Sequence, residues 1–195
     1  MNLVPVATFR PTTNKLFSFY QDGRRLLLKL YVGEKCQERY ERELYLLKKW
    51  ALHHLPVPCF YDVDLAGITK PYLVTDYIEG ISLREYLVSP VCSTEKKLAR
   101  LEDIFSCNRN RHSLALQAND PDFVLFDANT GNILVTDSGY FHIDFEAPAK
   151  RENLVNLISK EMAKFCRWAC RDMGRDHMAI IVEKLTDSYA DHLEL

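Results

Sequence analysis

The sequence lacks an excess of charge of either sign. It has 25 Lys and Arg residues against 27 Asp and Glu residues, a formal net charge of −2. Such a balance gives no reason to expect nucleic acid or an anionic membrane as the main partner. Apolar runs of the roughly 18 residues that a membrane-spanning helix needs are also missing. The first residues do not combine a charged segment with an apolar one, so we expect neither a signal peptide nor a transmembrane segment.

Closely paired cysteines are missing as well. The chain contains six cysteines, none of them in a Cys-x-x-Cys pair. Cys166 and Cys170 lie four residues apart on a predicted helix, but no nearby histidine completes a metal-ligand set. Scattered cysteines among apolar residues are typical of reduced, buried thiols. Because the cytosol keeps thiols reduced, we predict a cytoplasmic protein.

The chain does have the length and the apolar content of an ordinary globular protein. Its 195 residues are 47% hydrophobic and 11% aromatic. A chain of this size removes roughly 70% of its unfolded surface from water on folding, so it can form a stable core without disulfides or structural metals. The length suits one large domain or two small lobes.

The first 78 residues read as a sheet with one helix. Asp22-Gly23 separates two runs rich in strand-forming residues, a strong signal for a β-hairpin. Leu44, Leu47 and Ala51 recur at helical spacing, and Pro56 and Pro58 stop that helix. The predicted strands are 3–9, 15–21, 25–32, 59–65 and 71–78, and the predicted helix is 34–54.

The remaining residues read as mostly helical. Ser82 and Glu85 have the spacing of a capping box at the start of a short helix. The other predicted helices are 94–118, 151–173 and 176–193, and the predicted strands are 123–125, 132–135 and 140–144. The composition changes near residue 79, which predicts an α+β protein with an N-lobe over 1–78 and a C-lobe over 79–195. Ligands usually bind in clefts between such lobes.

The segment 126–146 carries the most informative motif. Asp127 is followed five residues later by Asn132, and a predicted hairpin then leads to Asp144 in the run Ile-Asp-Phe-Glu. This pattern resembles the catalytic core of the protein-kinase-like superfamily, in which an Asp-x-x-x-x-Asn loop precedes a hairpin and Asp-Phe-Gly. The resemblance implies that Asp127 is the base for an acceptor hydroxyl. It also implies that Asn132 and Asp144 bind Mg²⁺, a cation that prefers oxygen ligands.

The resemblance implies a lysine and a glutamate earlier in the chain. Lys29 lies inside an apolar strand, where an unpaired charge is costly, so it needs a partner. Glu43 on the following helix matches the family position, and Glu41 is the alternative. Lys29 would then position the α- and β-phosphates of ATP while Glu43 holds it.

The strand 71–78 resembles the family's hinge. Thr75 corresponds to the residue that guards the back pocket, and backbone groups of Asp76 and Ile78 would bind adenine. Gly80 would let the chain turn between the lobes. The resemblance covers about residues 4–146.

The sequence departs from the family pattern in several places. The glycine-rich phosphate loop is missing, and Arg10-Pro11-Thr12-Thr13-Asn14 stands in its place. Thr12 and Thr13, or backbone NH groups, would have to hold phosphate there. Asn129 occupies the position where protein kinases have a lysine. Glu146 replaces the glycine of the metal motif, as in the branch that contains the choline kinases.

The sequence also lacks an activation segment, and only 147–149 separate Glu146 from the next predicted helix. This leaves little surface on which an extended peptide could bind. The chain also has no room for the large substrate lobe of the aminoglycoside and choline kinases. The chain is most similar to the compact, minimal kinase-like proteins of bacteria and archaea.

Plainer interpretations exist for these residues. Asp127 and Asn132 could be turn residues. Lys29 could extend its side chain to solvent, and Glu43 could be one charge on a solvated helix face. Other polar side chains are expected to be structural or solvated: His142 a structural histidine, and Arg109 and Arg111 a solvated helix face rather than a basic patch.

The prediction is an ATP-dependent, Mg²⁺-using phosphotransferase. Its acceptor would be a hydroxyl of a small molecule, a saccharide or a protein. The alternative is a catalytically inactive, pseudokinase-like module that binds nucleotide or serves as a scaffold.

Overall fold

A computed structural model describes residues 2–6, 14–147 and 152–190. It is a mixed α+β protein with a five-stranded antiparallel sheet, a three-stranded sheet and five α-helices within those ranges. The chain divides into two compact units. Unit 1 comprises residues 1–79 and 141–148, and unit 2 comprises 80–140 and 149–195.

Unit 1 is built on the five-stranded sheet, in the order β1-β2-β3-β5-β4. Its strands are β1 (Val4–Pro5), β2 (Lys15–Gln21), β3 (Arg24–Leu30), β4 (Phe60–Tyr61) and β5 (Tyr72–Asp76). The central position of β3 follows from its pairing with β2 on one side and β5 on the other. One apolar cluster on this sheet contains Phe19, Leu26, Leu28, Leu65 and Val74.

The β2–β3 hairpin closes through the turn that the sequence predicts. Gln21 pairs with Arg24, which leaves Asp22 and Gly23 as a two-residue loop. Both have positive φ, 49° and 75°. Two-residue hairpin turns of the I′ type require this geometry, and Asp-Gly adopts it readily.

The helix of unit 1, α1 (Cys36–Leu52), buries one face. Leu46, Leu47 and Trp50 are buried on it, at the spacing of an amphipathic helix. Glu43 is buried on the same helix, which is unusual for a carboxylate and requires a partner.

Unit 2 is mostly helical. Its helices are α2 (Leu83–Val88), α3 (Thr94–Ala118), α4 (Leu154–Met173) and α5 (Met178–Ala190). Their core includes Leu101, Ile104, Phe105, Phe165 and Ala169. The small sheet has the order β6-β7-β8, formed by β6 (Ile81–Ser82), β7 (Ile133–Thr136) and β8 (Gly139–His142), of which the last two residues belong to unit 1.

Several predicted elements are confirmed. The strand 15–21 and the helix 94–118 have the predicted bounds. The capping box at α2 is present, because Ser82 accepts from the Glu85 amide while the Glu85 side chain accepts from the Ser82 amide. The six cysteines are free thiols. The prediction that they are buried holds for Cys166 and Cys170 and is wrong for Cys59, which is exposed, while the other three are half-buried.

The strand predicted over 123–125 is wrong. Pro121–Phe123 form a 3₁₀ turn instead, and the Asp120 side chain accepts a hydrogen bond from the Asp122 amide. A capping aspartate followed by proline favours a helical turn over a strand. The strand predicted over 59–65 is reduced to Phe60–Tyr61, and the short strand Ile81–Ser82 was not predicted.

Candidate functional site

Lys29 is the central charge of a polar cluster in unit 1. It is the penultimate residue of β3, opposite Leu16 on β2 and Leu73 on β5. Its side chain is 13% exposed and does not extend to solvent. The ammonium nitrogen lies 2.7 Å from a Glu43 oxygen, 2.8 Å from an Asp144 oxygen and 2.6 Å from a Glu146 oxygen.

Glu43 is the helix partner of Lys29. It is 4% exposed, which excludes the reading as a charge on a solvated face. Its carboxylate also accepts a hydrogen bond from the Tyr31 hydroxyl at 2.5 Å. The alternative partner, Glu41, instead accepts a hydrogen bond from Gln37 one turn away on the same helix.

Asp144 and Glu146 follow β8 and belong to unit 1. Asp144 has φ of 66°, a left-handed backbone that non-glycine residues seldom adopt. The intervening Phe145 is buried and packs edge-on against Trp50, with ring centroids 4.9 Å apart. His142 also packs against Trp50 and is 1% exposed, as expected for a structural histidine. These apolar contacts anchor the segment that carries the two carboxylates.

Glu146 pairs with a second basic side chain, that of Arg39. Arg39 on α1 donates to it at 2.8 Å and also donates to the Asn14 side-chain oxygen at 3.2 Å. The Asn14 side-chain nitrogen donates to Glu146 in turn. From the sequence, Glu146 is marked only as a departure from the glycine of the family motif, and Arg39 was not predicted. A signal existed, because Arg39 precedes Glu43 by one helical turn and so shares its face.

The charges of this cluster shift the pKa values of its members. Burial disfavours the charged form of Lys29, but the three carboxylates outweigh burial and raise its pKa above the ordinary value. Burial also opposes ionisation of Asp144, yet Lys29 outweighs it and lowers the pKa of that carboxyl. Both groups are therefore charged at neutral pH.

The cluster contains the ligand types that a hard cation prefers. Oxygen atoms of Glu43, Asp144 and Glu146 lie within 4.8 Å of one another. Carboxylate oxygens suit Mg²⁺. Of the two predicted metal ligands, Asp144 belongs to this cluster, whereas Asn132 lies in unit 2.

The residues predicted to bind adenine lie on β5 or just after it. Thr75 is buried and pairs with Leu27 in the sheet. The Asp76 side chain accepts a hydrogen bond from the Tyr61 hydroxyl at 2.6 Å. Ile78 follows the strand and is half-buried. Thr12 and Thr13, predicted to hold phosphate, lie outside the described residues.

Asp127 and Asn132 are hydrogen-bonded to each other in unit 2. The Asn132 side-chain nitrogen donates to the Asp127 backbone oxygen at 3.2 Å and to its carboxylate at 3.3 Å. Asp127 also forms a 2.6 Å ion pair with Lys164 of α4, which donates to the Phe126 carbonyl at 3.1 Å. Lys164 was not predicted, since it lies 37 positions after Asp127 in the sequence and no motif marks it.

A buried ionic network holds the chain that leads into Asp127. The Glu161 carboxylate accepts the Leu125 amide at 2.7 Å and lies 3.0 Å from a ring nitrogen of His112. Arg111 is fully buried, pairs with both oxygens of Glu161 and donates to the Phe123 carbonyl. The prediction of a solvated or basic surface for Arg111 is wrong, because its charge is paired inside the core.

The far end of the same loop is held by a second carboxylate of α4. The Thr130 hydroxyl donates to the buried Asp172 side chain. Asn129 uses its side-chain oxygen to accept the Gly131 amide at 2.8 Å. The loop 125–130 is therefore attached to α4 at both ends.

The comparisons with known proteins identify no family. No family model matches the chain, and a search of curated proteins finds no similar sequence. In the described ranges, no helix is both long and apolar enough to cross a membrane.

Proposed function

We propose that the protein is an ATP-dependent, Mg²⁺-using phosphotransferase with a two-lobed, protein-kinase-like fold. The observation that carries the proposal is the buried ion pair of Lys29 with Glu43, to which Asp144 is joined. Buried ion pairs often add no net stability, so a lysine that is 13% exposed among three carboxylates favours a functional role over a purely stabilising one. The free thiols are consistent with the cytoplasm as its location.

Each residue of the predicted set has a chemical role in this proposal. Lys29 binds the α- and β-phosphates of ATP, and Asp144 and Asn132 hold Mg²⁺. The bound metal neutralises charge on the phosphate oxygens. Backbone groups of Asp76 and Ile78 bind adenine behind Thr75.

Asp127 is the general base of the transfer step. It accepts the proton of the acceptor hydroxyl while that oxygen forms a bond to the γ-phosphorus. The bond from the γ-phosphorus to the bridging oxygen breaks, and ADP leaves with the electron pair. Because Asn132 donates to Asp127 through its side-chain nitrogen, its oxygen is available for the metal.

The acceptor is a hydroxyl of a small molecule, a saccharide or a protein. Glu146 in place of glycine and Asn129 in place of lysine favour a small or saccharide acceptor, by resemblance to the small-molecule branch. The short segment between Glu146 and α4 also gives an extended peptide little to bind.

One sequence feature favours a second candidate function. The glycine-rich loop is absent over 10–14, and a chain without it could be an inactive nucleotide-binding or scaffold module. Thermal unfolding with ATP, with and without Mg²⁺, separates binding from scaffolding. The phosphotransferase predicts a rise in melting temperature that is larger with Mg²⁺, and a scaffold that binds no nucleotide predicts none. An inactive module that binds nucleotide would also show a rise, and transfer of the labelled γ-phosphate then separates it from the phosphotransferase.

The same measurement on two variants tests the roles of the carboxylates. Asp144→Ala should lose the part of the shift that depends on Mg²⁺, because a metal ligand is gone. Asp127→Ala should keep the full shift, because the base does not hold nucleotide. An absence of any nucleotide-dependent shift in the wild type would count against the proposed function.

A further inference from the structure

Lys164 presents an ammonium group beside the carboxylate of Asp127. Its nitrogen lies 2.6 Å from one Asp127 oxygen and donates to the Phe126 carbonyl at 3.1 Å. The third N–H has no acceptor among the residues that the structure describes. The side chains of Lys164 and Asp127 are 31% and 51% exposed, so a ligand can reach both.

The position of this ammonium group is fixed by a hydrogen bond to a backbone carbonyl as well as by its ion pair with Asp127. An isolated pair at such exposure would stabilise the fold by less than about 1 kcal/mol and would be free to rearrange. Lys164 has two acceptors, and its helix binds the loop on either side of it. On α4, Glu161 precedes Lys164 by three residues and accepts a hydrogen bond from the Leu125 amide. Asp172 follows Lys164 by eight residues and accepts a hydrogen bond from the Thr130 hydroxyl.

Within the described residues, no other positively charged side chain pairs with the carboxylate of Asp127. The position two residues after it holds Asn129, whose side chain is occupied by the Gly131 amide and the Asp127 carbonyl. Asn132 provides a neutral amide to the second carboxylate oxygen. Phosphoryl transfer develops negative charge that a nearby cation stabilises.

We propose that Lys164 is a catalytic residue of the transfer step. This inference rests on the proposed function. Lys164 holds one oxygen of Asp127, so that the other oxygen accepts the proton of the acceptor hydroxyl. Its third N–H donates to an oxygen of the γ-phosphoryl group as that group moves to the acceptor.

The test is the release of inorganic phosphate from γ-labelled Mg-ATP, with water as the acceptor. Lys164→Met should lower kcat by about 10²–10³-fold, the usual cost of one donor to developing charge. KM for ATP should change little, because Lys164 acts only in the transfer. Lys164→Gln keeps a donor but no charge and should show the same loss, whereas Lys164→Arg should recover part of the rate.

Two comparisons separate a catalytic role from a structural one. Lys160→Met is the matched control: Lys160 lies one turn earlier on α4, pairs with Glu152, is largely exposed and should not affect the rate. Lys164→Ala should be rescued by propylamine, whose ammonium group can occupy the vacated space. A merely structural lysine would show no such rescue.

The outcomes distinguish this inference from the proposed function. If the wild type releases phosphate and Lys164→Met does so at the same kcat, the inference is wrong and the proposed function stands. If Lys164→Gln loses the rate but amine fails to rescue Lys164→Ala and arginine recovers nothing, Lys164 is structural and the inference is again wrong. If the wild type transfers labelled phosphate neither to water nor to a panel of hydroxyl acceptors, both are wrong.

Discussion

Lys29 is the residue on which the polar cluster of unit 1 depends. Lys29 pairs with the three carboxylates of Glu43, Asp144 and Glu146. Arg39 provides one further positive charge to this cluster, through its ion pair with Glu146. Removing the lysine would leave the buried Glu43 carboxylate with the Tyr31 hydroxyl as its remaining hydrogen-bond donor among the residues that the structure describes. An uncompensated buried charge is among the most destabilising changes a protein can undergo.

We therefore expect Lys29→Met to lower the free energy of unfolding by about 3–5 kcal/mol. The double variant Lys29→Met/Glu43→Leu should recover much of the loss, because the buried charge is then gone. Urea denaturation measures both. Lys15→Met, at an exposed position on neighbouring β2, is the control and should change little. Equal losses in the single and double variants would contradict the importance of this pair.

The chemistry of single residues was predicted from the sequence to different extents. An apolar strand makes the internal Lys29 conspicuous, and the resemblance to the kinase-like superfamily favoured Glu43 over Glu41 as its partner on the helix that follows. Lys164 could not, because its contact with Asp127 arises only from the packing of α4 along the loop. Arg111 was misread because a charged residue on a polar helix is usually exposed.

Among the elements, the turn into β6 is the most tightly packed glycine position in unit 2. A Cβ atom on Gly80 would lie 2.4 Å from the Val135 carbonyl oxygen. Backbone atoms cannot move as side chains do, so the strands would have to separate. Gly139 on β8 has no atom within 4 Å of the same point.

We expect Gly80→Ala to reduce the free energy of unfolding by about 1–3 kcal/mol, the usual cost of overpacking. Gly139→Ala should stay within about 0.5 kcal/mol of the wild type, as surface substitutions do. Thermal or urea unfolding of the two variants makes the comparison. Indistinguishable stabilities would mean that the β6–β7 pairing does not require a glycine at this position.

Elements with strong local signals were predicted well, and those that depend on context were not. The hairpin around Asp22-Gly23 and the capping box of Ser82 and Glu85 are encoded within four residues. The run 123–125 resembles a strand in composition. The capping aspartate before it favours a 3₁₀ turn instead, and the buried Arg111 donates a hydrogen bond to the Phe123 carbonyl at the end of that turn. That partner comes from another helix and has no local signature.

At the scale of the whole molecule, the network around Glu161 links stability to pH. Burial alone would raise the pKa of this carboxyl, but Arg111 and His112 outweigh burial and lower it from 4.5 to about 2. Burial lowers the pKa of His112, against the attraction of Glu161. In acid the unfolded chain therefore binds protons at both positions before the folded chain does.

The resulting prediction is a loss of stability as pH falls. The contribution of Glu161 is fully present above about pH 4.5 and is lost as the pH falls from there toward 2, on the order of 3 kcal/mol. The buried, neutral His112 adds a loss that begins near pH 6.5. Urea denaturation at a series of pH values measures the slope.

Glu161→Gln is the variant that tests this assignment. It should be less stable than the wild type at neutral pH, because Arg111 loses its buried partner. Its stability should also vary less with pH between 4.5 and 2, since a glutamine side chain takes up no proton there. The same slope in both proteins would assign the acid sensitivity to other carboxylates.

The proposed function requires two groups of residues to act on one nucleotide. Lys29, Glu43 and Asp144 belong to unit 1, whereas Asp127 and Asn132 belong to unit 2. Either group alone could be a structural arrangement of charges. Only a reaction that requires both groups of residues would identify the chain as a phosphotransferase.

The most direct measurement is the transfer of the labelled γ-phosphate of ATP, to water and to a panel of hydroxyl acceptors, with Mg²⁺ and with excess chelator. The proposal predicts transfer by the wild type that the chelator abolishes. It also predicts loss of transfer by at least about 10²-fold in each of Asp127→Ala and Asp144→Ala. Wild-type rates in both variants, or transfer that is indifferent to Mg²⁺, would contradict it.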